Sequence, residues 1–115
     1  MHIAAVQYEM AWEDKPDSHR RLDAMLDEAT LPAETYVVLP EMTDTGFSFN
    51  LDAIVDDRSV RWAQQTARDR SLWIQMGHAE LGPDGKGRNC ATIVNPAGEV
   101  VGVYRKIHPF GYQAR

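Results

Sequence analysis

Apolar residues in this chain alternate between two spacings, and the change from one to the other marks its elements. Residues 2–8 (His-Ile-Ala-Ala-Val-Gln-Tyr) form a short, mostly apolar run, predicting an opening strand buried on both faces. From about Asp17 to Ala29 the apolar positions Leu22, Met25, Leu26 and Ala29 recur at helical spacing among charged residues, predicting an amphipathic helix that stops before Pro32. Tyr36-Val37-Val38-Leu39 is β-branched and apolar, and Pro40, which has no backbone N–H, ends its ladder. Residues 42–50 are rich in Thr, Asp, Gly and Ser and read as a loop, whereas Val60, Ala63 and Ala67 predict a second helix over residues 59–70. Residues 72–78, 89–94 and 99–104 are three further strands, joined by Gly82-Pro83-Asp84-Gly85-Lys86-Gly87 and by Asn95-Pro96-Ala97-Gly98.

The resulting order is β-α-β-α-β-β-β, an α/β chain without an internal repeat, a linker or a domain boundary. Strands separated by helices in its first half imply parallel crossovers, and ligand sites in such sheets lie beyond the carboxyl ends of strands. Glu41 and Lys106 both fall at such ends. On position alone, Glu41 reads as a solvated loop residue or a helix cap and Lys106 as a snorkelling edge lysine.

Composition narrows the function classes. At 115 residues, with 43% hydrophobic and 25% charged residues, the chain fits one small globular domain or a piece of a larger one. A net charge of −5 and a pI of about 5.2, with both signs interleaved, argue against a nucleic-acid partner. No apolar run approaches the roughly 20 residues that cross a bilayer, so no membrane span is expected. One cysteine excludes an internal disulfide, and the N-terminus lacks a signal-peptide pattern, so a cytoplasmic location is expected. The four histidines (2, 19, 78 and 108) and the cysteine have no metal-ligand spacing, and no phosphate loop or nucleophile elbow is present. No cofactor is indicated. The tryptophans 12, 62 and 73 read as core or helix-packing residues.

Four segments, in order, resemble the carbon-nitrogen hydrolases (the nitrilase superfamily), which hydrolyse amides, nitriles and carbamoyl compounds. Residues 1–8 are similar to the family's opening strand, and Leu39-Pro40-Glu41-Met42 resembles the segment carrying its catalytic glutamate. Residues 89–99 resemble its hairpin with a Pro-x-Gly-Glu turn, and Tyr104-Arg105-Lys106-Ile107-His108 resembles the segment carrying its catalytic lysine. Each motif alone is weak; their order and the 65-residue spacing of Glu41 and Lys106 make the set specific. Thr45-Gly46-Phe47 and Lys106-Ile107-His108-Pro109-Phe110 are similar to the omega-amidase-like branch.

The resemblance implies that the chain builds the N-terminal part of a nitrilase-like αββα sandwich, a partial domain over residues 1–115. It implies Glu41 as general base toward a cysteine thiol or a water, and Lys106 as stabiliser of the oxyanion of a tetrahedral intermediate. The chemistry independently wants these types: a thiol near its free pKa needs a base at pH 7, and a fixed cation aimed at the carbonyl oxygen lowers the barrier. Phe47 and His108 are candidates to line the substrate pocket, and Arg105 is expected to face solvent or pair with an acid.

In this family the nucleophilic cysteine lies on a strand past the lysine, and a further glutamate lies between them; neither has a counterpart up to Arg115. Cys90 precedes the lysine, occupies a hairpin strand and reads as a small buried hydrophobe. The expectation is a fragment of a small-amide hydrolase of Cys-Glu-Lys type, inactive by itself, with exposed strand faces that make it poorly soluble or homo-oligomeric. Two other readings stand beside it: a non-catalytic half-domain that associates with itself or with a full-length homologue, and a plain α/β ligand-binding module that ignores Glu41 and Lys106. Convergence of those two side chains on one pocket counts against the last.

Overall fold

A computed structural model describes residues 1–106. Its strands are β1 (Ile3–Ala5), β2 (Tyr36–Val38), β3 (Trp73–Leu81), β4 (Gly87–Val94) and β5 (Val100–Arg105); its helices are α1 (Lys15–Ala29), α2 (Leu51–Ile54) and α3 (Arg58–Arg70). The strands form one mixed sheet in chain order, parallel from β1 through β3 and antiparallel from β3 through β5. His108, expected to line the substrate pocket, lies outside the described residues.

Local chemistry sets both ends of α1 and the C-terminal end of α3. Asp14 caps α1 by accepting from the Asp17 N–H at 3.0 Å, Pro16 occupies its first turn, and Thr30 closes it in a left-handed conformation. The helix therefore starts two residues earlier than the apolar spacing predicts. Ser71 closes α3 the same way, its N–H bonded to Ala67 O.

One sheet face is covered. Leu22 of α1 and Ala63 and Ala67 of α3 pack on Val37, Ile74, Met76 and Val94 to form the main core. The alanines bring α3 close to the sheet. A second, smaller cluster of Met42, Ile54 and Ala79 lies on the opposite face, where β3 and β4 extend past the end of β2.

Three expectations need correction. The one-turn helix α2 follows the predicted loop, has no side-chain cap and is too short to display a period, so it escaped the pattern. The opening strand is not buried on both faces: β1 is an edge with Ile3 69% exposed, on the face shared with Tyr36 and Trp73. Trp12 is exposed rather than in the core. Trp62 is partly buried against the core, stacks on His19 with ring centroids 5.1 Å apart and donates to Asp23; Trp73 stacks on Tyr36.

The first helix is also anchored by charge. Lys15, 2% exposed, donates to Asp56 at 2.7 Å, and Asp56 also receives the Arg58 guanidinium and backbone N–H. Partial burial pulls the Asp56 pKa upward, but the hydrogen bonds from Arg58 and Lys15 outweigh it and hold the carboxyl well below the usual carboxylate range. A depressed folded-state pKa means that this stabilisation is complete above the unfolded carboxyl's pKa of about 4 and drains away as pH falls through the folded value. Asp56→Ala strands the Lys15 ammonium. Urea unfolding at pH 7 should show a loss of about 3 kcal/mol, the low end for a broken buried pair, and the variant should lose less further stability on acidification than the parent.

Candidate active site

Glu41 is placed by a tight passage of backbone over β3. Leu39 N–H bonds Gln75 O at 3.0 Å, extending the pairing one residue beyond β2, and Pro40 then supplies no donor. Met42 turns the chain in a left-handed conformation (φ 49°), and Thr43 returns it to β3 by donating its N–H to Gly77 O at 3.0 Å. The Thr43 hydroxyl donates to Pro40 O and accepts the Gly77 N–H, while Tyr8 OH donates to Thr43 O at 2.6 Å. Met42 seals the underside in the smaller core cluster. A Cβ on residue 77 would lie 2.4 Å from Pro40 O and 2.8 Å from Glu41 Cα, so only glycine admits this passage.

Lys106 arrives from the other side. Arg105, the last residue of β5, makes a two-pronged bond to Glu80 at 2.6 and 3.0 Å, and Lys106 N–H donates to Asn89 O at 2.9 Å. Tyr104 pairs with Ala91, which pairs with Gly77, so the end of β5 lies level with the stretch of β3 that the Glu41 loop crosses. Lys106 Nζ consequently stands 3.4 Å from Glu41 Oε2. Both line a cavity of about 170 Å³ whose walls include Leu39, Gln75, Gly77, Asn89, Cys90 and Tyr104. The two side chains keep 54% and 45% of their surface exposed, and an ion pair so solvated adds at most about 1 kcal/mol. A carboxylate and an ammonium thus meet at one pocket.

The other sequence candidates separate. Cys90 is buried on β4 and borders the same cavity, but burial, assisted by the negative charge of Glu80, pushes its thiol up to about 11. At neutral pH it is a protonated thiol and a poor nucleophile. Phe47 is half-exposed and is not among the residues lining the cavity. Around it, the loop is seated on buried polar side chains: Asp44, fully buried, accepts from Ser59 at 3.0 Å and faces His19 Nε2 at 2.7 Å, tying the loop to α1 and α3. Arg105 pairs with an acid, Glu80.

Sequence reading passed over Thr43, Gly77 and Asn89. Glycine and asparagine are both disfavoured inside strands, so their presence within β3 and β4 was the available signal. Asn89 Nδ2 is buried without a hydrogen-bond partner among the described residues, a situation that ordinarily costs about 1–3 kcal/mol. Among the described residues, no group of three or more His, Cys, Asp or Glu side chains is placed to hold a metal ion, and no helix is long and apolar enough to cross a membrane.

A mixed sheet with its two long helices on one face, carrying a carboxylate and an ammonium together at strand ends, defines the class, and sequence comparison agrees. The chain belongs to the carbon-nitrogen hydrolase family, whose model matches residues 2–115. It is 30% identical over 116 residues to a nitrilase of Pyrococcus abyssi, covering 94% of this chain and 44% of that protein. A formamidase of Bradyrhizobium sp. is 31% identical over 78 residues, covering 64% of this chain and 23% of the formamidase. Among solved structures, a CN-hydrolase superfamily protein from Xanthomonas campestris superposes with a TM-score of 0.79 at 25% identity, over 94% of this chain and 42% of that one. The chain thus spans less than half the length of each of these relatives.

The close passage at Gly77 generates a direct test. Gly77→Ala should lower stability by about 1–3 kcal/mol in chemical denaturation, because the added methyl meets backbone atoms that have no rotamer to yield. Gly102→Ala, whose Cβ would come no nearer than 3.8 Å to Ile93, is the matched control and should unfold close to the parent.

Proposed function

We propose that this chain carries the general base and the oxyanion-stabilising cation of a hydrolase acting on small carboxamides by a Cys-Glu-Lys mechanism. The observation that carries this reading is the approach of Lys106 Nζ to within 3.4 Å of Glu41 Oε2, across 65 residues of sequence, at one cavity. Glu41, as a carboxylate, takes the proton of a thiol as sulfur attacks the carbonyl carbon; Lys106 meets the negative charge that develops on the carbonyl oxygen. One preorganised donor of that kind is worth about 3 kcal/mol of barrier. A plain ligand-binding module would have no reason to bring this pair together.

The thiol is not Cys90, whose protonated, buried state and place on β4 suit packing. By family resemblance it follows Lys106 in the chain, so residues 1–115 alone are proposed to be inactive. The formamidase relative supports an amide substrate and the nitrilase relative a nitrile; Thr45-Gly46-Phe47 with Lys106-Ile107-His108-Pro109-Phe110 supports the omega-amidase-like branch, and with it the amide. Phe47 and His108 are proposed as substrate contacts of the completed site. A cytoplasmic address is proposed as well, which a free rather than paired Cys90 fits.

A second reading, the self-associating half-domain, is favoured by one observation. The sheet face turned away from α1 and α3 presents Ile3 and Tyr104, 69% and 61% exposed, with Tyr36 and Trp73 half-covered between them.

Both readings meet the same experiment on protein expressed from its complete coding frame. Ammonia release from small aliphatic amides should fall at least about 100-fold in kcat for Glu41→Gln and for Lys106→Met, with the fold intact by circular dichroism. Undiminished turnover in both variants would falsify the assignment. A frame that closes at Arg115, giving a stable dimer that releases no ammonia, would establish the half-domain instead.

A further inference from the structure

Asn89 lies in β4, between β3 and β5, at the position paired with Ala79. Its carbonyl accepts the N–H of Lys106 at 2.9 Å, so its backbone sets where the lysine leaves the sheet. The residue is 4% exposed and is one of those lining the cavity that Glu41 and Lys106 share. Its Nδ2 is the one buried side-chain nitrogen or oxygen among the described residues that has no hydrogen-bond partner there.

That combination asks for an explanation from ligand chemistry. A strand interior favours Val, Ile or Thr, and a leucine would fill nearly the same volume without a donor to satisfy. The carboxylate in the same cavity, Glu41, is already within reach of Lys106. A buried amide N–H of this kind is a donor held ready for an acceptor that arrives from outside.

We infer that Asn89 is a substrate-contacting residue, its side-chain N–H donating to the carbonyl oxygen of the carboxamide held between Glu41 and Lys106. A carboxamide has one good acceptor, its oxygen, since its nitrogen only donates; a donor in the wall therefore addresses the oxygen. Lys106 and Asn89 then form a two-donor cradle, one charged and one neutral. Negative charge grows on that oxygen as the carbonyl carbon becomes tetrahedral, so the Asn89 bond tightens in the transition state and its loss falls on kcat more than on KM. The inference rests on the amide-hydrolase reading for its kinetic consequence, but not for the contact itself.

The kinetic test uses the protein expressed from its complete coding frame. Asn89→Leu should keep or raise the melting temperature, because it removes an unpaired buried donor, while lowering kcat for propionamide about 100-fold with KM changed by less than about 3-fold. Asn89→Asp, which places an acceptor where the donor stood, should lose at least as much. Retention of parental kcat in a folded Asn89→Leu protein would overturn the assignment.

The contact is tested separately in the Glu41→Gln background, where turnover is not required and Asn89 is left intact. Titration with propionamide should shift the Asn89 side-chain NH2 resonances saturably in 1H–15N spectra. Saturable shifts at the Lys106 amide without any at the Asn89 side chain, or no saturable binding, would refute the contact. If the parent protein hydrolyses no amide yet the Asn89 resonances respond, the hydrolase reading fails while the Asn89 contact survives.

Discussion

The near-contact between the backbone of residues 40–42 and Gly77 is the constraint on which the rest of the site depends. β3 has nine residues, three paired with β2 and eight paired with β4, so the β3–β4 hairpin continues well past the point where β2 stops. The sheet therefore has a step, and the chain leaving β2 must cross it. With any side chain at residue 77, that crossing would have to rise away from the sheet and lift Glu41 off the level of Lys106. With glycine, Thr43 can bond to β3 through both its N–H and its hydroxyl, and two charged residues far apart in sequence end at hydrogen-bonding distance.

The loop beyond Glu41 is seated by polar rather than apolar contacts. Thr43, Asp44, Thr45 and Ser48 are all buried, and each has a hydrogen-bond partner. Burying a carboxylate such as Asp44 is expensive unless it is paired and bonded, and here His19 and Ser59 meet its two oxygens. Hydrogen bonds are directional, so a loop seated on them has fewer alternative positions than one resting on interchangeable methyl groups. Glu41 stands between this seat and the end of β2, and its backbone is fixed from both sides.

What was legible in the sequence follows from what is local. Leu22 and Leu26 announced α1, Ala63 and Ala67 announced α3, and the Gly- and Asn-rich turns announced the two hairpins, because periodicity and turn chemistry are properties of neighbouring residues. The burial of β1 was misread because an apolar run looks the same whether one face or both are covered, and which applies is decided by distant parts of the chain. Trp12 misled for a similar reason: its apolar surface indicates burial on average, not at a given site. Glu41 and Lys106 were legible through their motifs, whereas the Asp44–His19–Ser59 cluster joins three segments that no spacing rule connects. Asn89 was visible only as an oddity of composition inside a strand, because its place beside the cavity depends on segments distant in sequence.

The exposure of the Glu41–Lys106 pair bears on how such a site acquires catalytic strength. Two unit charges 4 Å apart interact by about 1 kcal/mol in bulk water and by about 4 kcal/mol at the effective dielectric of a protein surface region. With roughly half of each side chain in solvent, the pair here stands toward the weaker limit. A fixed ammonium lowers the barrier to an oxyanion only to the extent that water does not solvate both charges first. The proposed amide hydrolysis would therefore ask for two additions, a thiol and a cover over the exposed part of that sheet face. The same surface that excludes water would strengthen the lysine's field, hold the substrate carbonyl against Asn89, and bury Ile3, Tyr36, Trp73 and Tyr104, so that the energy gained by burying those apolar side chains maintains a dry, preorganised pocket.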